Sequence, residues 1–416
     1  MLDIKFIIAN QAKVEEAIKN KGLKLRLTDL LKAHEERLFL LQKVEKLNAD
    51  RKTNADKMKG GKPEASLVKA GKKIKAELEK LETEFTKLGQ RFQSLMLQVP
   101  NLYSDDTPVG ADDKDNLELK KWGSLPKFSF QPQDHISLGL KKNLLDTDRG
   151  TKVAGFRGYF LKNDLALLHW AVLTYAWQKM NKAGFQMLIA PSLVNELGLV
   201  GSGWFPAGKD EVYAVDDQYL AGTSEVAMMA YHADEILPVA DLPLKYCGFS
   251  PCFRREAGSY GKDTKGLYRL HEFWKVEQVI ICRDNETEAL KLFEQMLAVS
   301  EEILQDLELP YRVVKVCTGD MGLGKYKMYD IETWMPSRQN YSETHSCSYF
   351  TDWQTRRLKI RSKDQDGRVF YPHSMNNTVI ASPRILIALL ENNQQADGSI
   401  KIPKVLQPLV GKKLIS

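Results

Sequence analysis

Two long stretches near the start of the chain carry apolar residues at alternating spacings of three and four. In the first stretch the positions are Leu27, Leu31, His34, Leu38, Leu41, Val44 and Leu47. In the second they are Leu67, Gly71, Ile74, Leu78, Leu81, Phe85, Leu88, Phe92, Leu95 and Val99. The run Lys59-Gly60-Gly61-Lys62-Pro63 separates them and interrupts both patterns. This pattern predicts two helices of roughly 30 residues that fold back as an antiparallel coiled-coil hairpin roughly 45 Å long.

The segments that flank this hairpin give the domain boundaries. The chain begins with a short strand-like apolar run, Ile4, Phe6, Ile7 and Ile8. A helix over 11–20, ended by Gly22, is predicted next. Residues 104–135 are acidic, polar and contain proline, which is typical of a linker that wraps a surface. We therefore predict an N-terminal helical arm over 1–103 and a separate compact domain over 104–416.

The compact domain contains a helix-strand pair and a long predicted hairpin. An apolar helix over 161–183 is followed by a strand that ends at Pro191. Residues 245–256 and 271–282 both have the composition of strands. The segment 257–270 between them contains three glycines. It is predicted to be a mobile loop that closes the hairpin.

This hairpin concentrates charged and aromatic side chains. Side chains alternate across a strand, so Arg254 and Glu256 are predicted to share one face. Phe273, Lys275 and Glu277 are predicted to share a face of the returning strand. Two cations, two acids and a flat aromatic ring on one surface would suit a nucleoside triphosphate held beside a small zwitterion.

Positive charge is concentrated in one segment of the chain. The whole protein carries a formal net charge of +6, and residues 43–75 hold 11 Lys/Arg and 4 Asp/Glu, a local charge of +7. This segment covers the end and outer faces of the predicted hairpin, which suits contact with a phosphate backbone. It lacks interleaved aromatic residues, so we expect it to recognise the shape of a nucleic acid rather than its base sequence.

The composition excludes several other classes of protein. Apolar residues make up 43% and charged residues 27% of the chain, so general disorder is excluded. No apolar run reaches the length of a membrane span, and the N-terminus does not resemble a leader sequence, so we expect a cytosolic protein without membrane contact. The five cysteines form no C-x-x-C pair, which favours free thiols over disulfides or a zinc site.

The motif around the predicted hairpin identifies a family. Phe253-Arg254-Arg255-Glu256, a loop, and then Arg269-x-His271-x-Phe273-x-Lys275-Val276-Glu277 resemble the second signature motif of class II aminoacyl-tRNA synthetases, in the form found in seryl-tRNA synthetases. The helix-strand pair ending at Pro191 resembles the first motif, which forms the dimer interface in that family. The N-terminal arm is similar to the one that holds the variable arm of tRNA.

Three other segments resemble this family. Thr223-Ser224-Glu225 lies where the family has its serine-binding loop, and Glu343-Thr344-His345-Ser346-Cys347-Ser348 resembles another of its stretches. Residues 373–384 resemble the third motif, in which Asn376, Thr378 and Arg384 match. Three residues depart from that motif: Asn377, Val379 and Pro383. Since Pro383 replaces a glycine, it raises the question of whether adenine has room to bind.

The resemblance implies a fold and a set of functional residues. The fold is α+β: the coiled-coil arm is followed along the chain by an antiparallel sheet that is flanked by helices. Arg254 and Arg384 are the implied catalytic residues. The implied serine-binding residues are Thr223, Glu225, Arg254, Glu277, Asn376 and Thr378. The implied ATP-binding residues are Arg254, Glu256, Arg269, Phe273, Glu343, Ser346 and Arg384.

The same resemblance implies the reaction, the metal and the partners. Serine would be activated with ATP and transferred to tRNA(Ser) by a homodimer; charging of tRNA(Sec) stays open. Mg²⁺ would be bound by Glu343 and Ser346, which are three residues apart. On a regular strand they would point to opposite faces, so we expect a local bulge or turn. No activating partner for Cys347 is identifiable, which argues against thiol chemistry.

Two alternative functions are compatible with the sequence. One is a synthetase-like ligase that charges a carrier protein, although such an enzyme has no use for a basic arm. The other is a degenerate paralogue that binds tRNA or a protein partner without activating serine. The departures at Asn377, Val379 and Pro383 are its only support. ATP binding would separate this second alternative from an active enzyme.

Overall fold

The computed structural model describes residues 1–59, 64–259, 263 and 265–416. Within those ranges the chain divides into two compact units, Leu2–Pro100 and Asn101–Ser416, and Met1 groups with the second. Most of the turn predicted at 59–63 and part of the loop predicted at 257–270 lie outside the described residues. In the described part of the chain, no helix is both long enough and apolar enough to cross a membrane.

The N-terminal unit is helical from its first element. Its helices are α1 (Ile4–Ala9), α2 (Gln11–Asn20), α3 (Leu27–Lys57) and α4 (Ala65–Gln98). The prediction of a strand-like start was wrong. Asp3 caps α1 by accepting a hydrogen bond from the Lys5 amide, and Ile7 is fully buried. Ile4, Ile7 and Ile8 also fit a helical face, and so short an apolar run does not distinguish helix from strand.

Helices α3 and α4 pack along each other in antiparallel fashion. Near one end, Asn54 Nδ2 donates to Leu67 O at 3.1 Å. Towards the other end, the Arg37 guanidinium lies 5.4 Å from the ring centroid of Phe85 and 5.5 Å from that of Phe92. The predicted coiled-coil pair is therefore confirmed.

Most predicted seam positions are buried or half-buried, and Leu38 is the exception. All ten predicted positions of α4 are buried or half-buried, with Leu78 at 2% exposure. Leu38 in α3 is 41% exposed. Its neighbour Arg37 instead covers the aromatic side chains of α4 with its long side chain.

The second unit contains nine α-helices among the described residues. They are α5 (His135–Lys141), α6 (Thr147–Ala154), α7 (Asn163–Lys182), α8 (Glu196–Ser202), α9 (Glu225–Ala230), α10 (Glu286–Asp306), α11 (Trp353–Leu358), α12 (Arg384–Asn392) and α13 (Gln407–Val410). Helix α7 and the strand after it lie where the sequence predicts a helix-strand pair. That prediction is confirmed.

The strands of this unit are β1 (Leu117–Trp122), β2 (Leu145–Asp146), β3 (Phe160–Leu161), β4 (Gln186–Ile189), β5 (Leu193–Val194), β6 (Tyr213–Val215), β7 (Gln218–Leu220), β8 (Ile236–Pro238), β9 (Leu244–Phe253), β10 (Glu272–Cys282), β11 (Tyr311–Lys315), β12 (Lys327–Met335), β13 (Asn340–Thr351), β14 (Arg361–Lys363), β15 (Val369–Phe370), β16 (His373–Ser382), β17 (Ile400–Lys401) and β18 (Leu414–Ile415). Among the described residues, eight of them form the main sheet, in the order β1-β11-β12-β13-β16-β10-β9-β4. Neighbouring strands are antiparallel except β4 and β9. The predicted α+β fold is confirmed.

The two faces of the main sheet have different roles. One face packs against α7 and α10 in a core that includes Leu165, Phe293, Ile331 and Ile380. The other face is covered at one end by α9 and α11, around Met228, Val279 and Leu358. Polar side chains occupy the rest of this second face. Burial of the first face thus fixes which side chains the second face presents.

Candidate active site

The second face of the sheet forms the floor of a cavity of about 400 Å³. Eleven of the twelve site residues predicted from the sequence line it: Thr223, Glu225, Arg254, Glu256, Phe273, Glu277, Glu343, Ser346, Asn376, Thr378 and Arg384. These residues come from four separate segments of sequence. The remaining residue, Arg269, is not among the described residues of the lining, and its guanidinium pairs with Glu256 and Asp263, each at 3.2 Å.

The hairpin β9–β10 contributes the predicted charged cluster, although not entirely by strand alternation. Phe273, Lys275 and Glu277 alternate along β10 and all line the cavity, as predicted. Strand β9 ends at Phe253, so Arg254 and Glu256 lie beyond it. Glu256 has a left-handed φ of 54°. Strand alternation was therefore the wrong reason for placing this pair together, although both side chains line the cavity.

Arg254 is held between two aromatic rings. Its Cζ lies 5.2 Å from the ring centroid of Phe273 and 5.5 Å from that of Trp204. Its Nε and Nη2 each lie 3.4 Å from Gly222 O. A Cβ at position 222 would be 3.0 Å from the Trp204 ring, so a larger residue there would crowd this ring. Trp204 was missed by the sequence reasoning, because a lone tryptophan carries no motif.

A buried charge cluster occupies the end of the cavity nearest α9. Lys275 Nζ and Glu277 Oε2 are 2.6 Å apart, with side chains only 6% and 3% exposed. Thr378 Oγ1 donates to the same Glu277 oxygen at 3.3 Å. Burial raises the pKa of Glu225, and the charge of Glu277 acts in the same direction. Two carboxylates beside one lysine make this end suitable for an ammonium group.

A register shift brings Glu343 and Ser346 to the same face. Ile331 pairs with His345, whereas the next residue, Glu332, pairs with Glu343. Thr344 is therefore the extra residue of a β-bulge in β13. Both Glu343 and Ser346 line the cavity as a result. The predicted bulge is confirmed.

Oxygen donors surround this bulge. Asp330 lies opposite Ser346 in the ladder, so the two side chains share a face. Burial raises the pKa of Asp330 well above its ordinary value, and the Glu343 charge adds to the shift. Asp330 Oδ1 is buried without a hydrogen-bond partner in the described structure. No group of three or more His, Cys, Asp or Glu side chains that could hold a metal occurs among the described residues.

The residues of the third motif in strand β16 point to two different sides, some into the cavity and some away from it. Asn376 and Thr378 line the cavity. Asn377 points away from it and donates to Met296 O and Ser300 Oγ of α10, each at 2.9 Å. Val379 belongs to the hydrophobic core. Two of the three departures from the motif therefore lie outside the cavity.

Pro383 and Arg384 follow β16 and both line the cavity. Arg384 Nε donates to Tyr268 O at 3.1 Å, and its Cζ lies 4.5 Å from the Tyr268 ring centroid. Tyr268 OH donates in turn to Glu343 O at 3.2 Å. The sequence reasoning missed Tyr268, which lies beside Arg269 in the loop. Tyr268 joins this loop of the second motif to the segment of Glu343 and to Arg384 of the third motif.

The five cysteines are all buried free thiols. Burial raises the pKa of Cys347 well above its ordinary value. A thiol that stays protonated is a poor nucleophile. The expectation of free thiols is confirmed.

Comparison with known proteins gives full-length matches. Residues 1–103 match the family described as the seryl-tRNA synthetase N-terminal domain, and residues 210–393 match the tRNA synthetase class II core domain (G, H, P, S and T). The serine–tRNA ligase of Deinococcus radiodurans is 47% identical over 415 residues, which cover 99% of this chain and 98% of that protein. The serine–tRNA ligase of Treponema denticola is 41% identical and covers 99% of both chains.

A solved structure has the same fold over the whole length. The crystal structure of seryl-tRNA synthetase from Pyrococcus horikoshii complexed with ATP matches with a TM-score of 0.90 and 36% identity, covering 100% of this chain and 99% of that one. Fold, motif order and full-length identity therefore agree. The chain belongs to the seryl-tRNA synthetase family of class II aminoacyl-tRNA synthetases.

Proposed function

We propose that this protein is a serine–tRNA ligase that activates serine with ATP and transfers it to the terminal adenosine of tRNA(Ser). The observation that carries the proposal is the convergence of Arg254, Glu343 and Arg384, from three separate motifs, on one cavity. The relatives named as serine–tRNA ligases span the same length as this chain. The related structure from Pyrococcus horikoshii was solved with ATP.

The first step joins two anions. The serine carboxylate attacks the α-phosphorus of ATP, a new P–O bond forms, and the bond to pyrophosphate breaks. The nucleophile is already ionised, so this step requires no general base. Catalysis then consists of positioning and of stabilising charge. Arg254 bridges the carboxylate and the α-phosphate, for which a planar fork fixed between two rings is well suited.

The remaining predicted residues bind the adenine ring and outer phosphates of ATP and the amino and hydroxyl groups of serine. Glu256 accepts from the adenine amino group, and Phe273 and Arg384 stack on the ring. Arg269 binds the outer phosphates, which replace Glu256 and Asp263 as the partners of its guanidinium. Thr223, Glu225, Glu277, Asn376 and Thr378 bind the ammonium and hydroxyl groups of serine.

Mg²⁺ fits the donors around the bulge in β13. Glu343 and Ser346 would hold it through oxygen atoms, which Mg²⁺ prefers, and a site completed by phosphates does not need three protein acids. The bound ion would neutralise charge on the phosphates of ATP. The orphaned oxygen of buried Asp330 supports a cation nearby, since a positive charge would offset the clustering of carboxylates.

The arm over 1–103 is assigned to tRNA binding, and the domain over 104–416 to catalysis. Support comes from the local charge of +7 on residues 43–75. Deleting residues 49–74 should spare adenylate formation and abolish charging of tRNA(Ser). Equal loss of both activities would contradict this assignment. The same assay with tRNA(Sec) as acceptor would decide whether that tRNA is also a substrate.

Assembly as a homodimer and a cytoplasmic location are part of the same proposal. Apolar side chains around the first motif are exposed: Ile189 at 84%, Leu197 at 48% and Leu193 at 40%. A patch of this kind is typical of an interaction surface. The five free thiols are typical of a reducing compartment.

Serine-dependent exchange of pyrophosphate into ATP tests the proposed activity. Purified protein with Mg²⁺ should catalyse the exchange with serine and not without it. Its absence in folded protein that still binds ATP would point to activation of a different acid. Absence of ATP binding in calorimetry would favour the degenerate paralogue. Charging of a carrier protein instead of tRNA would favour the other alternative.

A further inference from the structure

A buried glutamine lies directly behind the cavity. Gln354, in α11, is 1% exposed and is not among the residues that line the cavity in the described structure. Its Nε2 donates to Glu225 Oε1 at 2.7 Å and to Ser202 O at 3.1 Å. Ser374 Oγ donates to Gln354 Oε1 at 2.7 Å. One side-chain amide thus connects α8, α9 and β16.

The hydrogen bonds fix the orientation of this amide. Ser202 O is a carbonyl oxygen and can only accept, so the NH₂ group of Gln354 must face it. The amide oxygen then faces the Ser374 hydroxyl, which donates to it. Both amide hydrogens are used, one on Ser202 O and one on the carboxylate of Glu225. The bonds to Ser202 and Ser374 therefore fix Gln354, and Gln354 holds the Glu225 carboxylate through the third bond.

Glu225 needs such a partner because of the charges around it. Glu225 is 8% exposed, and the charges of Glu277, Lys275 and Lys325 act on its carboxyl group. Burial and the Glu277 charge both raise the pKa of Glu225, whereas the hydrogen bond from Gln354 acts in the opposite direction. An amide carries no net charge, so it stabilises the ionised carboxylate without cancelling the charge that an ammonium group requires.

Lys275 makes Glu225 and Glu277 different from each other. Its ammonium contacts Glu277 directly at 2.6 Å, so the charge of Glu277 is compensated within the protein. Glu225 is instead bonded by the neutral amide of Gln354. A zwitterionic substrate therefore finds at Glu225 an oriented carboxyl group that is bonded to a neutral amide, whereas Glu277 is bonded to a lysine.

We propose that Gln354 is a positioning residue for amino-acid binding, which fixes the Glu225 carboxylate to receive the substrate's ammonium group. This inference rests on the proposed function, because it requires that an amino acid binds in the cavity. It extends the predicted substrate site to α11 and to Ser374. Gln354 and Ser374 do not touch the substrate in this proposal, and both act through Glu225.

Gln354→Met and Gln354→Glu test the proposal in pyrophosphate exchange. Methionine keeps the volume and removes both donors, and glutamate places a second acid against Glu225. Both variants should raise KM for serine roughly 10-fold or more, the effect of losing a hydrogen bond to a charged group, while KM for ATP changes less than about twofold. Gln354→Glu should be the more severe. Ser374→Ala, which removes only the orienting hydroxyl, should raise KM for serine by a smaller factor.

Gln278 provides a matched control. It is a fully buried glutamine in β10 whose Nε2 donates to Met296 O at 2.9 Å, away from the cavity. Gln278→Met should lower the melting temperature and leave KM for serine unchanged. If Gln354 variants behaved like this control, or raised both KM values equally, the proposal would be overturned.

Ser374→Ala decides the matter even if the Gln354 variants do not fold. Its folded form should show the selective rise in KM for serine, and an unchanged value would overturn the proposal. Absence of exchange in the unmutated protein would instead count against the proposed function. The two failures are therefore distinguishable.

Discussion

At the scale of single residues, the cavity is built by giving adjacent side chains opposite roles. Asn377 and Thr378 are neighbours in β16, yet Asn377 bonds to α10 and Thr378 to Glu277 in the cavity. The Asn377 side chain satisfies Met296 O, a carbonyl group at a buried helix surface. The departure from the family motif at this position therefore affects packing behind the sheet and not the site itself.

Asn377→Ala and Thr378→Ala should separate stability from substrate binding. Asn377→Ala removes two buried hydrogen bonds to α10, so it should lower the free energy of unfolding by about 1–3 kcal/mol and leave KM for serine and ATP unchanged. Thr378→Ala should raise KM for serine with little loss of stability. Denaturant unfolding and pyrophosphate exchange on both variants measure this. A changed KM for ATP in Asn377→Ala would show that this position reaches the cavity after all.

At the scale of elements, the helical arm and the bulged strand show two ways in which the sequence pattern determines local structure. Helices α3 and α4 follow from periodicity, because a stripe of apolar residues must find a partner to be buried. The face presented by Glu343 follows from a single extra residue in β13. Without Thr344 as the bulge, either Glu343 or Ser346 would point into the core.

Leu78→Ala and Leu38→Ala should distinguish the observed seam from the predicted one. Leu78 is 2% exposed, so its truncation should destabilise the α3–α4 pair by about 2–5 kcal/mol. Leu38 is 41% exposed, so its truncation should change stability by less than about 0.5 kcal/mol. Hydrogen exchange of the backbone amides of α3 and α4 in the full-length protein reports both. An equal loss of protection in the Leu78→Ala and Leu38→Ala variants would show that Leu38 belongs to the seam after all.

At the scale of the whole molecule, buried histidines connect stability to pH. His345 lies between Thr344 Oγ1 at 2.8 Å and Val379 O at 3.0 Å, and so joins β13 to β16. His169 in α7 bonds to Ser382 Oγ at 2.8 Å. Burial lowers the pKa of each to about 4. Both side chains are therefore neutral in the folded protein near pH 7.

Acidification should destabilise the protein through these two residues. The pKa of each histidine is lower in the folded protein than in the unfolded chain. As the pH falls, the unfolded chain therefore binds protons first. The contribution of these two histidines to the free energy of unfolding is fully present above pH 6.5 and is lost as the pH falls towards 4. The shift corresponds to roughly 3 kcal/mol for each histidine. Thermal melts of His169→Gln between pH 7 and 4 should show a shallower decline than the unmutated protein. An unchanged slope would contradict this account.

Much of the site could be predicted because its residues occur in specific strings. The alternation of Phe273, Lys275 and Glu277 predicted their common face, and the spacing of Glu343 and Ser346 predicted a bulge. Trp204, Tyr268 and Gln354 could not be predicted. Each is a lone residue whose role arises from neighbours distant in sequence. Arg269 was predicted as a phosphate ligand, and that role stays a prediction while its guanidinium pairs with Glu256 and Asp263.

The sequence by itself determined the helical arm, the α+β class and eleven of the residues that line the cavity. Periodicity and motif order are local properties, and burial of apolar faces converts them into structure with little choice. Tertiary structure alone decided which side chains support the site from behind. The contacts of Gln354 with Glu225 and of Arg254 with Trp204 join segments with no fixed spacing in sequence. Such contacts exist only after the sheet has brought those segments together.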